Sequence, residues 1–294
     1  LTASTIESPS PLLVEPSVRL KLRAKKGWQP IDLGEIWSYR ELLWILAVRD
    51  VKVRYKQSVL GILWAIIQPV FTMLIFTFIF TVLVPTKPQN ISNGAPYQLF
   101  IFIGLVPWQL FSSALSNMGN SMVGSQQLIT KVYFPRLVIP LSSILSCVLD
   151  FAIAMVIVLG MLVYYHRAVH IGWPILTLPL FTLLALMTAT SVGIWLSALN
   201  VEYRDIRFVI PVMIQLWMYA SPVIYSAQNV PDKFKLIYAL NPMVGVLDGF
   251  RWSLTGTGEP RVSTLVVSII TVLALTIGGL FYFRRMERTF ADLV

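Results

Sequence analysis

The sequence predicts an all-α integral membrane protein. It should have six transmembrane helices, an N-terminal cytoplasmic amphipathic helix at the interface, and short re-entrant outer helices between spans five and six. Three observations predict this. The basic residues Arg49, Lys52, Arg54 and Lys56 give way to an uncharged apolar segment, 59–84, and five more apolar runs follow it. Mean hydropathy is +0.72. Charged residues make up 13% of the chain, about half of the roughly 25% a soluble domain carries.

Residues 1–30 are rich in Ser, Pro and Thr and hold a basic run from Arg19 to Lys26. They read as a flexible cytoplasmic tail, drawn to anionic lipid at about 1 kcal/mol per basic residue near the surface. Segment 31–57 opens with Asp32 and, three residues on, Glu35, a reciprocal helix start. Ile36, Leu43, Ala47 and Val51 follow helical spacing, while Arg40, Glu41, Arg49, Asp50 and Lys52 cover other faces. Trp37 and Trp44 suit headgroup depth. The segment is expected to lie on the cytoplasmic surface without spanning. Residues 58–294 then form the six-span domain.

The 26 residues of 59–84 reach about 39 Å as a helix, against a hydrocarbon core of about 30 Å. This span is therefore expected to tilt or protrude. Span two, 97–118, is interrupted by Gly104, Pro107, Gln109, Ser112 and Ser113. It should kink and face protein, because a carbonyl freed by proline is tolerated in lipid only where neighbours or water satisfy it. Span three, 137–165, carries Asp150 about midway. A carboxylate there costs about 2.5–3.5 kcal/mol on insertion scales, so it must face a polar path or a partner, or be protonated. An interhelical hydrogen bond is the simplest role; a proton relay and a polar channel wall are the alternatives. In span four, 174–199, Ala189, Gly193 and Ser197 stand four apart, a spacing that lets a neighbouring helix approach closely. Spans five and six are 208–225 and 262–283. Between them, Asn241-Pro242 is a strong helix start. It predicts a short helix over 243–254 that carries Asp248 and Arg251, dipping back toward the membrane.

Six spans place both termini on one side. Twelve basic residues flank the proposed inner ends and six the outer ends, which puts both termini in the cytoplasm. The first long apolar run begins too late and runs too long for a signal peptide. The net charge of +9 lies between apolar spans, so membrane orientation accounts for it and nucleic acid is not an expected partner. The single Cys147 excludes an intrachain disulfide. There is no Gly-Lys dipeptide, hence no GxxxxGK[ST] phosphate loop, and no HExxH or GxSxG. His166 and His170 are four apart but lack a carboxylate or thiol partner, so no metal is expected. Aromatic rings offer a flat apolar face and a polar handle that suit a sugar ring as well as a membrane interface. Trp64, Trp217, Tyr219 and Tyr225 are the candidate sugar-facing rings.

Several stretches together resemble a family. Arg49-Asp-Val-Lys-Val-Arg-Tyr-Lys-Gln-Ser-Val-Leu-Gly-Ile-Leu-Trp-Ala-Ile-Ile-Gln-Pro69 resembles the entry to the first span of type-2 ABC permeases that export O-antigen, capsule and teichoic acid. Lys131-Val-Tyr-Phe-Pro-Arg136, Asn200-Val-Glu-Tyr-Arg-Asp205, Ser221-Pro-Val-Ile-Tyr225 and Leu240-Asn-Pro-Met243 are similar to later motifs of that family, in the same order. The resemblance implies a homodimer in the bacterial inner membrane with two copies of a separate cytoplasmic ATPase. That partner would bind ATP and Mg, leaving this chain no cofactor and no catalytic residue. A channel would run along the dimer interface, mainly between first and fifth spans. A coupling helix around Gly124, Gln126, Gln127 and Lys131 would dock on the ATPase. Arg49, Arg54 and Lys56 would meet the pyrophosphate of a polyprenyl-linked polysaccharide, or serve only as positive-inside anchors. Asn241, Pro242, Asp248 and Arg251 would belong to the re-entrant outer gate. A related permease for lipid or drug is the nearer rival. A membrane-embedded glycosyl- or acyltransferase is the more distant one, and it would need paired acids where only Asp150 is available.

Overall fold

The computed structural model describes residues 33–56, 61–83, 96–169, 172–287 and 290. The tail 1–30, Asp32, His170 and Arg288 lie outside the described residues. Every regular element among those described is helical. In order they are α1 (Leu33–Ser38), α2 (Arg40–Lys56), α3 (Trp64–Phe78), α4 (Tyr97–Gly124), α5 (Gln126–Lys131), α6 (Val138–Tyr164), α7 (Leu178–Glu202), α8 (Ile206–Tyr219), α9 (Asp232–Ala239), α10 (Pro242–Thr255) and α11 (Val262–Met286).

Among the described residues, five segments are long and apolar enough to cross a membrane: 64–82, 97–124, 138–164, 173–202 and 262–286. The expected first span, 59–84, extends at both ends beyond the described residues. The 19 described residues of 64–82 reach about 28 Å, close to the hydrocarbon thickness. The fifth expected span departs from expectation. Helix α8 has 14 residues, only about 21 Å. It stops where Ser221 precedes Pro222, because proline disfavours helical geometry in the residue before it. Residues 221–226 continue as an irregular turn.

Helix α4 is the hub, buried along nearly its whole length and packed on α3, α6, α7 and α10. It is one continuous helix through Pro107, and the expectation that it faces protein holds. Lipid is as apolar as a leucine side chain, so helices in a bilayer associate through close packing rather than by hiding from water. Helix α7 illustrates this. Ala189, Gly193 and Ser197 are buried, and a Cβ on Gly193 would stand 2.7 Å from the sulfur of Met118 on α4. Helices α3 and α8, by contrast, leave Phe71, Leu74, Phe78, Phe208, Val212 and Leu216 exposed.

The N-terminal helical segment is broken at Tyr39 into α1 and α2. Leu46 and Ala47 are buried, and Ile36 and Leu43 pack against the cluster that holds Met122, Ile129, Phe134 and Val138. The opposite side is not uniformly polar: Trp37, Trp44, Ile45 and Val53 are exposed. Helix α2 also runs along α6, and its last turn reaches as far as Asp150.

Candidate functional site

Two polar assemblies sit at opposite ends of the bundle, and a short exposed helix projects beside the first. The first assembly is a cleft between α2, α4 and α6. Polar positions recur at helical spacing on α4 (Gln109, Ser113, Ser116, Asn117, Asn120, Ser121) and on α6 (Ser143, Ser146, Asp150), so each helix turns one polar strip toward α2. The strips enclose an outer cavity of about 360 Å³ and a narrower inner one of about 190 Å³. Arg54 lines both. Its Nη1 donates to Asp150 Oδ2 at 2.7 Å, and the Tyr55 hydroxyl donates to the other carboxylate oxygen. Both oxygens of Asp150 are thus satisfied by α2. The partner the carboxylate requires is thus a cation 96 positions earlier in the chain, on a segment the sequence placed at the surface.

Around this pair, Asn117 Nδ2 donates to Cys147 Sγ at 3.1 Å. Asn200 of α7 donates to the Gly119 carbonyl at 2.8 Å and to Asn120 Oδ1 at 3.2 Å. Arg49 turns aside to Asp50, Nη2 to Oδ1 at 2.8 Å, and Lys56 is exposed. Trp64 lines the inner cavity and is 54% exposed.

The second assembly joins the end of α8 to α10. Asn241 caps α10, its Oδ1 accepting from the Met243 amide at 3.1 Å and from the Trp217 indole at 2.9 Å. Its amide donates to Ser221 Oγ at 2.9 Å. The Trp217 ring stands edge-on to Phe111, with centroids 5.1 Å apart. Trp217 is therefore half-buried and fixed within one chain, while Tyr219 is 54% exposed. The Tyr225 hydroxyl lies 2.8 Å from that of Tyr238. Pro242 and Arg251 are buried. The Arg251 guanidinium carbon lies over the Phe100 ring, 3.7 Å from its centroid. It donates to the carbonyls of Val223 at 2.7 Å and Tyr225 at 3.2 Å, which satisfies the irregular turn after α8. Gly104 makes room for this: a Cβ there would lie 2.6 Å from the Val223 oxygen and 2.8 Å from Arg251 Nη2. Burial pulls the Arg251 guanidinium down to about 10, against the opposing pull of Asp248. Burial likewise pushes Asp248 up to about 6, with Arg251 holding it back.

Beside the cleft, Gly124 ends α4 and Gln126, Gln127 and Lys131 project from α5. Only Ile129 of α5 is buried, and Tyr133 beyond it is 85% exposed. The following Arg136 is tied to the end of α11: its backbone N–H donates to Glu287 Oε1 at 3.2 Å and its side chain to the Glu287 carbonyl. Arg284 also meets Glu287, at 2.8 Å.

Of the residues the sequence singled out, Arg54, Asp150 and Trp64 meet in the cleft, and Trp217, Asn241 and Pro242 meet at the other end. Arg49 and Lys56 do not join the pair, and the exposed Tyr219 meets the candidate set through its carbonyl, which accepts from the Tyr225 hydroxyl at 3.4 Å. Sequence reasoning missed Tyr55, Asn117, Asn120 and Glu287. Spacing at three and four residues on two helices was the available signal for the polar strips. Glu287 carried none, because its partner lies 151 positions away.

The sequence profile described as ABC-2 type transporter matches residues 41–255. The chain is 31% identical over 254 residues to the O-antigen export system permease protein RfbA of Klebsiella pneumoniae, covering 86% of this chain and 95% of that protein. It is 30% identical to the RfbA of Myxococcus xanthus, covering 86% and 96%. It is also similar, at 24% identity over 82% of this chain and 92% of the relative, to the polysialic acid transport protein KpsM of Escherichia coli.

Proposed function

Because the chain belongs to the ABC-2 type transporter family, we propose that it is the permease subunit of an ATP-driven exporter moving lipid-linked polysaccharide out of the cytoplasm. The observation that carries this is near-complete alignment with O-antigen export permeases, 86% of this chain against 95% of the relative. A rival enzyme would need an acid–base constellation. Among the described residues, the carboxylate inside a span, Asp150, is engaged by Arg54 and Tyr55.

The remaining parts follow from that reading. The chain contains no phosphate-binding loop, so hydrolysis falls to a separate ATPase, two copies for a homodimer. The exposed α5 and Tyr133 suit its docking. A second copy of this chain would cover the outward apolar faces of α3 and α8. Both termini would be cytoplasmic, with α8 and the turn to Tyr225 completing a sixth, partly irregular span. Helices α9 and α10 would form the re-entrant outer segment, where irregular backbone survives because Arg251 satisfies it. Trp64 and Tyr219 keep the exposure that a sugar-facing ring needs.

Deletion of the gene tests the function. The cell should still build the polymer but retain it on the cytoplasmic side, and surface polysaccharide should fall to background. Normal surface polysaccharide in a deletion strain with no second exporter would overturn the reading. The dimer is checked by the mass of the solubilised complex, two copies of this chain with two of the ATPase.

A further inference from the structure

The last helix is fastened at both ends of the bundle. Helix α11 is continuous over 25 residues and holds no proline. At its C-terminal end, Glu287 Oε1 accepts from the Arg136 backbone N–H at 3.2 Å and Oε2 from Arg284 at 2.8 Å, while the Glu287 carbonyl takes the Arg136 side chain. Arg136 lies in the loop after α5. Phe290 closes over this joint: it is fully buried, edge-on to Phe283 with centroids 5.4 Å apart, and 5.8 Å from the Arg136 guanidinium carbon. Ile129, the buried residue of α5, shares one apolar cluster with Phe283 and Phe290.

At the other end, Ser268 is fully buried and donates to the Ala239 carbonyl at 3.4 Å. A Cβ on Gly245 would stand 2.8 Å from its Oγ. Ala239 ends α9, and Gly245 lies in the first turn of α10. Between the two ends, the adjacent Gly278 and Gly279 would weaken the helix. Trp195 of α7 occupies the space of their missing side chains, since Cβ atoms there would lie 3.0 Å and 2.8 Å from its ring. Its indole N–H donates to the Leu275 carbonyl at 2.9 Å, and its ring stacks on Tyr282 with centroids 5.0 Å apart. One side chain thus braces the weak turn from both sides.

We propose that α11 is a transmission rod: Glu287 and Arg136 join it to the α5 loop, Trp195 stiffens it at the glycine pair, and Ser268 carries its movement into α9 and α10. These are positioning residues, acting through the helix on the segment at its far end. From Ser268 to Glu287 the rod measures about 29 Å, so a rigid shift at one end arrives at the other with no change inside the helix. The inference rests on α5 docking the ATPase, as read above. Coupling over such a distance requires an element with two discrete arrangements, and the experiment looks for the second one.

The full chain, with Lys233→Cys on the exposed side of α9 carrying an environment-sensitive fluorophore, is assembled with its ATPase in nanodiscs. The signal from Cys147 is subtracted using the chain without that substitution. The fluorophore is read before and after a non-hydrolysable ATP analogue. With the rod intact it should respond. Glu287→Ala and Trp195→Ala should each reduce the response about tenfold, the scale of a modest coupling, while binding the ATPase normally. Trp195→Phe keeps a ring over the glycines and should restore most of the response. Glu287→Ala combined with Ser268→Gly should respond no worse than either alone, because the two joints act in series. Their losses of melting temperature should add, because sites so far apart are independent in stability.

A full response in folded Glu287→Ala, or losses of response that multiply in the double variant, would overturn the rod. If Glu287→Ala fails to fold by circular dichroism and gel filtration, Arg136→Lys replaces it and should lower the response several-fold; a full response there would overturn the rod equally. An ATPase that does not bind the chain would overturn the docking reading and the rod with it. An ATPase that binds while the fluorophore stays silent would overturn the rod alone.

Discussion

Arg251 is a buried cation whose guanidinium Nε has no hydrogen-bond partner, and its neighbourhood makes a measurable demand on pH. Asp248, one helical turn earlier, has its carboxyl raised by burial from an ordinary 3.8 to about 6. A carboxyl raised on folding binds its proton more tightly in the native state, so ionising it costs stability. The sign is therefore fixed. Asp248 imposes no penalty below about pH 4, the penalty grows as pH climbs from about 4 through about 6, and it is constant above that. The melting temperature of the detergent-solubilised protein should fall across this window, and Asp248→Asn should flatten that fall. An unchanged slope in the variant would place the titration elsewhere. The sequence showed Asp248 and Arg251 three apart and so near one another. It did not show that Arg251 spends two of its nitrogens on carbonyls 26 and 28 positions away.

Among the elements, α5 is the one whose exposed face has least to do inside the subunit. Six residues long, it is anchored by Ile129 and turns Gln126, Gln127 and Lys131 outward. The strap from Arg136 to Glu287 holds the loop that follows it against the end of α11. A short helix held at both sides can transmit a push rather than absorb it. Replacing Gln126, Gln127 and Lys131 together with Ala should leave the chain folded, yet reduce its stimulation of the partner ATPase about tenfold, the scale of a modest coupling free energy. Undiminished stimulation in the reconstituted complex would refute the docking assignment. The start of α10 was legible from Asn241-Pro242 because an N-cap acts locally, through a side chain and an amide two residues apart. The early end of α8 was legible in principle from Ser221-Pro222. It was masked by the apolar run that continues to Tyr225, since hydropathy does not distinguish helix from a turn buried in protein.

For the whole molecule, the decisive test concerns orientation. The basic-residue asymmetry predicts α5 inside and the segment around Ser226 outside. Ser226 itself is buried, but Asn229 is exposed, as is Thr130 on α5. In intact cells a Cys at Asn229 should react with an impermeant thiol reagent and one at Thr130 should not, over a low background from buried Cys147. Reversed labelling would invert the topology.

The sequence by itself determined what depends on neighbours along the chain: which segments are apolar enough to enter lipid, the basic flanks, the cap at Asn241, the small-residue stripe of α7, and the lack of a phosphate loop. Its motifs also carried the family. Tertiary structure alone decided what depends on distant partners. It paired Arg54 with Asp150 across 96 positions, turned two spaced sets of Ser and Asn into one cleft, and set Arg251 beneath the turn after α8. The physical reason is that a charge or an irregular carbonyl inside a bilayer must be satisfied. Sequence reveals the need at the residue that carries it, and only the packed bundle reveals which residue meets it.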